Sequence, residues 1–565
     1  MIDNPAVRCR RPERPPRRRW LAGPARLALT AGLLVSFAAG HAQGPPPSQT
    51  QSGQSSTAQP PAQLTNGLSN QTPATAKQLT TMHQGLTLLQ QRDDRLVAQL
   101  PNRMIVIAQQ VPTAPVVSTQ VWVKTGSIYE QQHVGAGLSH YLEHLLSGGT
   151  TTNRTEAESN AILGRIGAQT NAATSLDTVR YYINTTAEHA PTAIDLLSDW
   201  MQNSKITEAE FKREREVILR EFSMGQGDPG RIFWKLTQKA RYTKHPARHP
   251  TIGYVDRFKE ITRQELIDFY HRMYVPNNMV FVVTGDIEPT RMVHEVTRRW
   301  KDQPTGELPE ITFPKESGID SPRTVEGRAD IDRPRVRLAW PGTTLAGEHD
   351  YALDLLSVIL GQGESSRLKQ TVRDKQGLVS SIDAYNASFH WGEGFFGIDA
   401  NVAAFDVLDK SQTEQINGKG DVTQARIDMV KQAILNQIEQ IRTKGITQSE
   451  LDRAKRMLIA DVVKSNQGVQ SIGSRMARDT IGMADPDYLA AYADRLKAIT
   501  AGELQTAAET LLTEDHLITV KLLPATDDQP VTDMTSPEVD AENEGADGAN
   551  EAKQAKANAG ACCRA

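Results

Sequence analysis

The sequence predicts an α+β chain of two homologous domains, each a mostly antiparallel sheet with helices packed on one face. Three observations carry this. Two pairs of segments repeat at nearly one offset: ITEAEFKREREVILRE from Ile206 with ITQSELDRAKRMLIAD from Ile446, 240 residues apart, and DRFKEITRQEL from Asp256 with DRLKAITAGEL from Asp494, 238 apart. A period this long marks a duplicated domain rather than a solenoid, whose units are about 20–50 residues. Each member also holds a Thr-x-x-Glu ahead of an amphipathic run (Thr207/Glu210, Thr447/Glu450, Thr262/Glu265, Thr500/Glu503), the reciprocal capping box that starts a helix. Finally, β-rich runs and helices do not strictly alternate, which favours α+β over a parallel α/β sheet.

The ends of the chain are set apart by composition. Residues 1–42 carry eight Arg against Asp3 and Glu13, and Leu27 to Ala39 form a 13-residue apolar stretch. Gly40-His41-Ala42 then offers small residues at a cleavage site, so 1–42 reads as a signal peptide and predicts export to the periplasm. An uncleaved anchor is disfavoured by the short apolar run. The segment RRRWLA is similar to a twin-arginine signal. Residues 43–75, rich in Pro, Ser and Gln and without charge, read as a disordered linker. Residues 526–565 carry nine acids against three bases and read as a disordered acidic tail.

The +6 of the leader and the −6 of the tail cancel, so the rest carries the whole net charge of −4. That near-neutral core argues against a nucleic-acid partner. With no 18-residue apolar run, no stable membrane span is expected once the signal is removed. Cys9 leaves with the signal and Cys562-Cys563 lie in the tail, so the core has no thiol, and a metal site there must use His and carboxylates.

The first domain is expected over 76–300. MIVIAQQ, VVSTQVWVKTG, TVRYYINTT and MVFVVTGDI are its strands. Between them stands GLSHYLEHLLSGGT, residues 137–150, which places His140, Glu143 and His144 at i, i+3 and i+4 on one helix face. The other faces carry Leu138, Tyr141, Leu142, Leu145 and Leu146, so the helix is buried and its polar groups need partners. A divalent cation satisfies them: two imidazoles one turn apart chelate Zn2+, and the adjacent carboxylate can take a proton from water. The pattern is the mirror of His-Glu-x-x-His and is a peptidase signature. Zinc needs a third ligand, and the capped helix from Thr207 offers Glu214 and Glu221, two turns apart, with Glu208, Glu210 and Glu216 competing.

Residues 301–330 read as the interdomain linker and 331–525 as the second domain, with RVRLAW, FFGIDANV and LITVKLL as strands. There LDLLSVILGQG stands where the metal helix should be and holds no His. The second copy keeps the fold and lacks the site. His245 and His249 are four apart, but Pro246 and Pro250 break any helix between them, so no second metal site is expected.

Over 76–525 these residues resemble the pitrilysin/insulinase-like zinc metallopeptidases, the inverted-zincin family that includes bacterial processing-peptidase-like members. In that family a ligand Glu follows the second His by 77 positions, which falls on Glu221 here. The resemblance implies His140, His144 and Glu221 as ligands of one zinc, Glu143 as the general base, and Glu214 as an acid standing behind the ligands. GAQTNAATSLDTVRYY resembles the segment leading into an edge strand where an extended substrate pairs by β-addition, which makes Asn171 and Ala172 substrate contacts. YVPNNMVFVVTGD resembles the end of the family's first domain, and GQGESSRLKQTVRDKQGLVSS its glycine-rich Ser-Arg-Leu segment, with Arg367 as a further substrate contact. Two positions depart from the pattern: Ser147 stands where an aromatic is usual, and Ser380 where a Tyr often joins the Arg, with Tyr385 nearby.

The expectation is thus an exported zinc metalloendopeptidase acting on peptides or unfolded segments. Two rivals keep the same fold: a non-catalytic scaffold or peptide-binding subunit, and a subunit active only with a partner. Family members usually enclose substrate with four such domains, which implies a homodimer or a heterodimer with a similar chain.

Overall fold

The computed structural model describes residues 84–316, 318–404 and 421–534. The expected signal peptide, the 43–75 linker and Cys562-Cys563 lie outside these residues.

The first half builds a seven-stranded sheet from β1 (Thr87–Arg92), β2 (Arg95–Gln99), β3 (Ile105–Gln110), β4 (Val116–Val123), β5 (Gln169–Thr174), β6 (Val179–Thr186) and β7 (Met279–Gly285). Its order is β1-β2-β3-β7-β4-β6-β5, antiparallel except where β3 runs beside β7. The second half builds a five-stranded sheet from β8 (Arg323–Ala329), β9 (Arg335–Pro341), β10 (Val379–Ala387), β11 (Phe395–Val402) and β12 (Ile518–Pro524). Its order is β10-β11-β9-β12-β8, again with one parallel pair, β12 with β8.

The helices of the first half are α1 (Leu138–Leu146), α2 (Glu156–Arg165), α3 (Ala190–Asn203), α4 (Glu208–Gly225), α5 (Pro229–Arg241), α6 (Val255–Glu260), α7 (Arg263–Met273) and α8 (Pro289–Trp300). Those of the second are α9 (Asp350–Leu360), α10 (Val422–Lys444), α11 (Gln448–Ser465), α12 (Val469–Met483), α13 (Tyr492–Ala498) and α14 (Ala501–Leu511). All four expected capping boxes form, at the starts of α4, α7, α11 and α14. A fifth, Thr155 with Glu158, starts α2.

Both faces of each sheet are apolar, so both must be covered. One face carries the sheet's own helices: Val121, Tyr181, Ile183 and Phe281 pack with Leu142, Leu197 and Trp200 in the first half. The other face is covered by a helix from the opposite half. Met476 and Ala477 of α12 pack on Trp122, Val280 and Val282 of the first sheet. Ile232, Phe233 and Leu236 of α5 pack on Ala339, Ile518 and Val520 of the second. The two helices follow α4 and α11, the repeated pair, so each copy of the duplicated unit lends the same helix to the other. Polar contacts pin the exchange: Thr284 Oγ1 donates to Val469 O at 2.6 Å, and Arg337 Nη1 to Thr237 Oγ1 at 2.8 Å.

Two expected boundaries move. The linker read as 301–330 is shorter, because Arg323–Ala329 forms β8; its alternating exposure is that of an edge strand with one face buried, a weaker signal than the apolar runs beside it. The tail does not leave the fold at 525. Thr532 exchanges hydrogen bonds with Arg328 beside β8, and Val531 and Met534 pack on the α5 cluster, so two apolar residues in an acidic stretch hold it down.

Candidate metal and peptidase site

Helix α1 carries the centre. Its apolar residues Leu138, Tyr141, Leu142, Leu145 and Leu146 are buried, which turns His140, Glu143 and His144 toward α4 and β5. Gly137 starts the helix with φ +82°, and a side chain there would collide with the Ile252 carbonyl, so glycine is required. No side chain of α1 itself caps its first turn. Glu130, fully buried, does so from outside, accepting from Ser139 N at 2.8 Å and Gly137 N at 3.1 Å.

Helix α4 faces α1 through Phe211, Ile218 and Phe222, and Tyr141 stacks on Phe211 at 5.3 Å between ring centroids. This stripe aims Glu214 and Glu221 at the histidines. His140 Nε2 lies 3.7 Å from Glu221 Oε2, and His144 Nε2 lies 3.6 Å from Glu221 Oε1. One ligand atom from each of His140, His144 and Glu221 lies within 4.8 Å of the others. Glu214 Oε2 sits 3.3 Å from His144 Nδ1, and its other oxygen accepts from Arg213 at 2.9 Å. The competing acids are used elsewhere: Glu210 closes its capping box and accepts from Thr150 N at 2.8 Å, while Glu208 and Glu216 are exposed.

Glu143 accepts from Thr174 Oγ1 at 2.9 Å through Oε2. Burial raises its pKa; His144 and the Thr174 bond pull it down, and Glu221 adds to the rise. Burial, with His144 and Arg231 nearby, holds His140 below the usual imidazole range, so it stays neutral with a free lone pair. Burial opposes protonation of His144, but the Glu214 hydrogen bond and the charges of Glu143, Glu221 and Glu214 outweigh it and raise its pKa. Burial likewise opposes ionisation of Glu214, and its bonds to His144 and Arg213 prevail and lower its pKa.

The donor set fits zinc. Tetrahedral sites hold His and carboxylate ligands at about 2.0–2.2 Å and, when catalytic, use three protein ligands with one position open. Two converging Nε2 atoms and a carboxylate 3.6 to 3.7 Å from each match that spacing. The Glu214 bond to His144 Nδ1 fixes the tautomer that frees Nε2, as carboxylates behind metal-bound histidines do. The ligand side chains are 17%, 17% and 30% exposed, so the cluster opens to solvent on one side.

The remaining candidates divide. Asn171 and Ala172 lie on β5, the outer strand of the first sheet, whose last residue, Thr174, holds Glu143. Arg367 is engaged within the second half: it forms a bidentate ion pair with Glu450 at 2.7 and 2.9 Å, and its guanidinium also donates to Gly445 O. It precedes a π-helical turn, Lys369–Lys375. Ser380 lies exposed on β10, donating to Asn401 O at 3.3 Å. Tyr385 is half-buried beneath Arg337 and Phe395. In the second half α9 packs on α11 as α1 packs on α4, and its buried positions include Leu353, Leu356 and Leu360 but no histidine. His245 stacks on Trp391 and accepts from Ala247 N through Nδ1. Sequence reasoning missed Glu130 and Thr174; an acid seven residues ahead of the helix-starting glycine was the available signal for the first.

Two family models match the chain, "Insulinase (Peptidase family M16)" over residues 105–255 and "Peptidase M16 inactive domain" over 260–458, together more than half of it. The chain belongs to peptidase family M16. The model that the second half matches is the one described as inactive. Among curated relatives, the uncharacterized zinc protease YmxG of Bacillus subtilis is 28% identical over 426 residues, covering 74% of this chain and 95% of that protein. An uncharacterized zinc protease of Rickettsia felis is 29% identical over 308 residues, covering 54% of this chain and 73% of its own. Among solved structures, a protease from Helicobacter pylori shares the fold with a TM-score of 0.66 at 24% identity, covering 76% of this chain and 99% of that one. The periplasmic protease PqqL from Escherichia coli matches at 0.63 and 18% identity over 77% of this chain but 48% of its own. No helix among the described residues is long and apolar enough to cross a membrane.

Proposed function

We propose that this M16 chain is an exported, periplasmic zinc metalloendopeptidase that hydrolyses peptide bonds in peptides or unfolded segments. The observation that carries the proposal is the convergence of His140, His144 and Glu221 beside a buried Glu143. Zinc held by these three side chains supplies Lewis-acid polarisation of a water and of the scissile carbonyl. Glu143 is the general base. Its Oε2 is fixed by Thr174, so Oε1 takes the proton from the attacking water and returns it to the leaving amine nitrogen. The raised pKa of Glu143 suits a group that must both accept and release a proton. The free edge of β5 offers backbone groups to an extended peptide, with Asn171 and Ala172 along it. Glu214 keeps His144 in the ligating tautomer.

A second reading is favoured by two observations: Arg367 is committed to Glu450, and Ser380 offers no phenol. On that reading a similar chain that carries these groups supplies the second-domain substrate contacts in a heterodimer, since a second copy of this chain would repeat the Arg367–Glu450 pair and Ser380. The twofold length of PqqL relative to its matched portion is consistent with two such pairs of domains enclosing one substrate.

The test is Glu143→Gln. It should retain one zinc per chain and lose cleavage of an unstructured peptide by about 10²–10⁴-fold, the range for removing a general base. His140→Ala should lose the zinc itself. Wild-type turnover in Glu143→Gln preparations free of other proteases would sink the proposal.

A further inference from the structure

On the face of the first sheet opposite α1, Arg180 of β6 stands in register between Trp122 of β4 and Ala173 of the edge strand β5. Its guanidinium carbon lies 5.4 Å from the Trp122 ring centroid. Arg478, on the exchanged helix α12 of the other half, lies 5.9 Å from the same ring. Two guanidinium groups, one from each half, thus share one indole. Like charges brought this close are costly unless an anion joins them. The nearest acids are already used. Asp177 accepts from Ser175 Oγ at 2.7 Å and lies 3.4 Å from His390 Nδ1, and Asp479 pairs with Arg475 at 3.3 Å. Neither arginine has a hydrogen-bonded carboxylate among the described residues, and both are half-buried rather than extended into bulk solvent. Burial, then the neighbouring Arg180 and Arg475, lower the Arg478 pKa to about 10 against the opposing charges of Asp479 and Asp177.

The position follows the substrate path. Ala173 precedes Thr174, which holds Glu143, and Glu143 and Arg180 are close enough to feel each other's charge. A peptide added along β5 alternates its side chains between the face of α1 and the face of Trp122. Ala173 is small and leaves the way over the edge strand open to a side chain from that peptide.

We infer that Arg180 and Arg478 form a carboxylate-binding subsite, so that the peptidase selects substrates presenting an acidic group next to the scissile bond. The inference rests on the peptidase reading above. A bidentate arginine-carboxylate bond, with the indole ordering both guanidinium planes, is the recognition chemistry. The carboxylate can come from an Asp or Glu side chain or from the free C-terminus of a short peptide.

The experiment uses the full zinc-loaded protein and fluorescent peptides that differ only in Glu against Gln at positions flanking the cleaved bond, each made as C-terminal acid and amide. Cleavage is read as kcat/KM, and binding as anisotropy on the Glu143→Gln variant. Expected is a preference of about tenfold or more for the acidic peptide, the factor of a hydrogen bond to a charged group. That preference should fall to within about twofold of unity in Arg478→Met and return only in part in Arg478→Lys, which keeps the charge but not the bidentate fork. A preference for acid over amide alone identifies the C-terminal carboxylate as the source; a preference for Glu over Gln identifies the side chain. Unaltered selectivity in a folded Arg478→Met and Arg180→Met overturns the subsite, as does cleavage without acidic preference in the wild type. Acid-selective binding without any cleavage would keep the subsite and reject the peptidase reading. Absence of both binding and cleavage of the acidic peptides rejects the subsite.

Discussion

Thr174 Oγ1 donates to Glu143 Oε2 at 2.9 Å, joining the outer strand of the first sheet to the carboxylate of the metal helix. The strand that can pair with a peptide therefore also orients the group that would take the proton from water. Thr174 stabilises the ionised carboxylate against the burial that disfavours it.

Thr174→Val should move the acidic limb of the kcat/KM profile upward by about one pH unit, because the lost bond is worth roughly 1–1.5 kcal/mol and one unit is about 1.4. The base acts only when ionised, so activity at low pH falls first. An acidic limb that stays where it is would show that the bond does not tune Glu143.

Glu214→Gln should weaken zinc binding by about 10–100-fold while leaving the fold intact, since the neutral amide is a poorer acceptor for His144 Nδ1–H and no longer raises the basicity of the ligating Nε2. Competition with a chromogenic chelator measures this. Equal affinity in both proteins would assign Glu214 a role confined to its pairing with Arg213.

Glu130 links the helix start to pH. Burial pushes its carboxyl from 4.5 up to about 8, against the pull of the Ser139 and Gly137 N–H groups. The native state then holds a proton that the unfolded chain releases near 4.5, so this group's contribution to stability is full below that pH. It is lost progressively as pH rises to about 8. Thermal unfolding of wild type and Glu130→Gln across this range should show the wild-type slope and its loss in the variant. The variant should also be less stable at pH 5 by roughly 1–3 kcal/mol, having one acceptor fewer for the first turn of α1. Parallel profiles would contradict the assignment.

Gly473 is where α12 meets the first sheet. A Cβ there would stand 2.7 Å from Gln120 Nε2 and 3.0 Å from Thr284 Oγ1. Gly473→Leu should therefore pry the exchanged helix from the sheet, costing about 1–3 kcal/mol as overpacking does, with a lower Tm and faster proteolysis. A variant as stable as the wild type would mean that the two halves are held together elsewhere.

Much of this was written in local pattern. The four Thr-x-x-Glu boxes start four helices, because a cap is satisfied by groups three residues apart and needs no tertiary partner. His140, Glu143 and His144 share a face by helical geometry alone. The choice of Glu221 over Glu208, Glu210 and Glu216 was different. Spacing within α4 left them open, and packing of Phe211, Ile218 and Phe222 against α1 separates them.

A duplicated α+β chain, a helix bearing the inverted histidine pair and a second copy without it were all legible before folding, the first from segments repeated 240 and 238 residues apart and the others from spacings within a single helix. Long-range packing settles that the copies exchange α5 and α12, that Glu130 caps the metal helix, and that Arg180 and Arg478 both approach Trp122. Arg180 and Arg478 are 298 positions apart in the chain. Contacts over such separations are set by which apolar faces bury one another, and no local pattern records that.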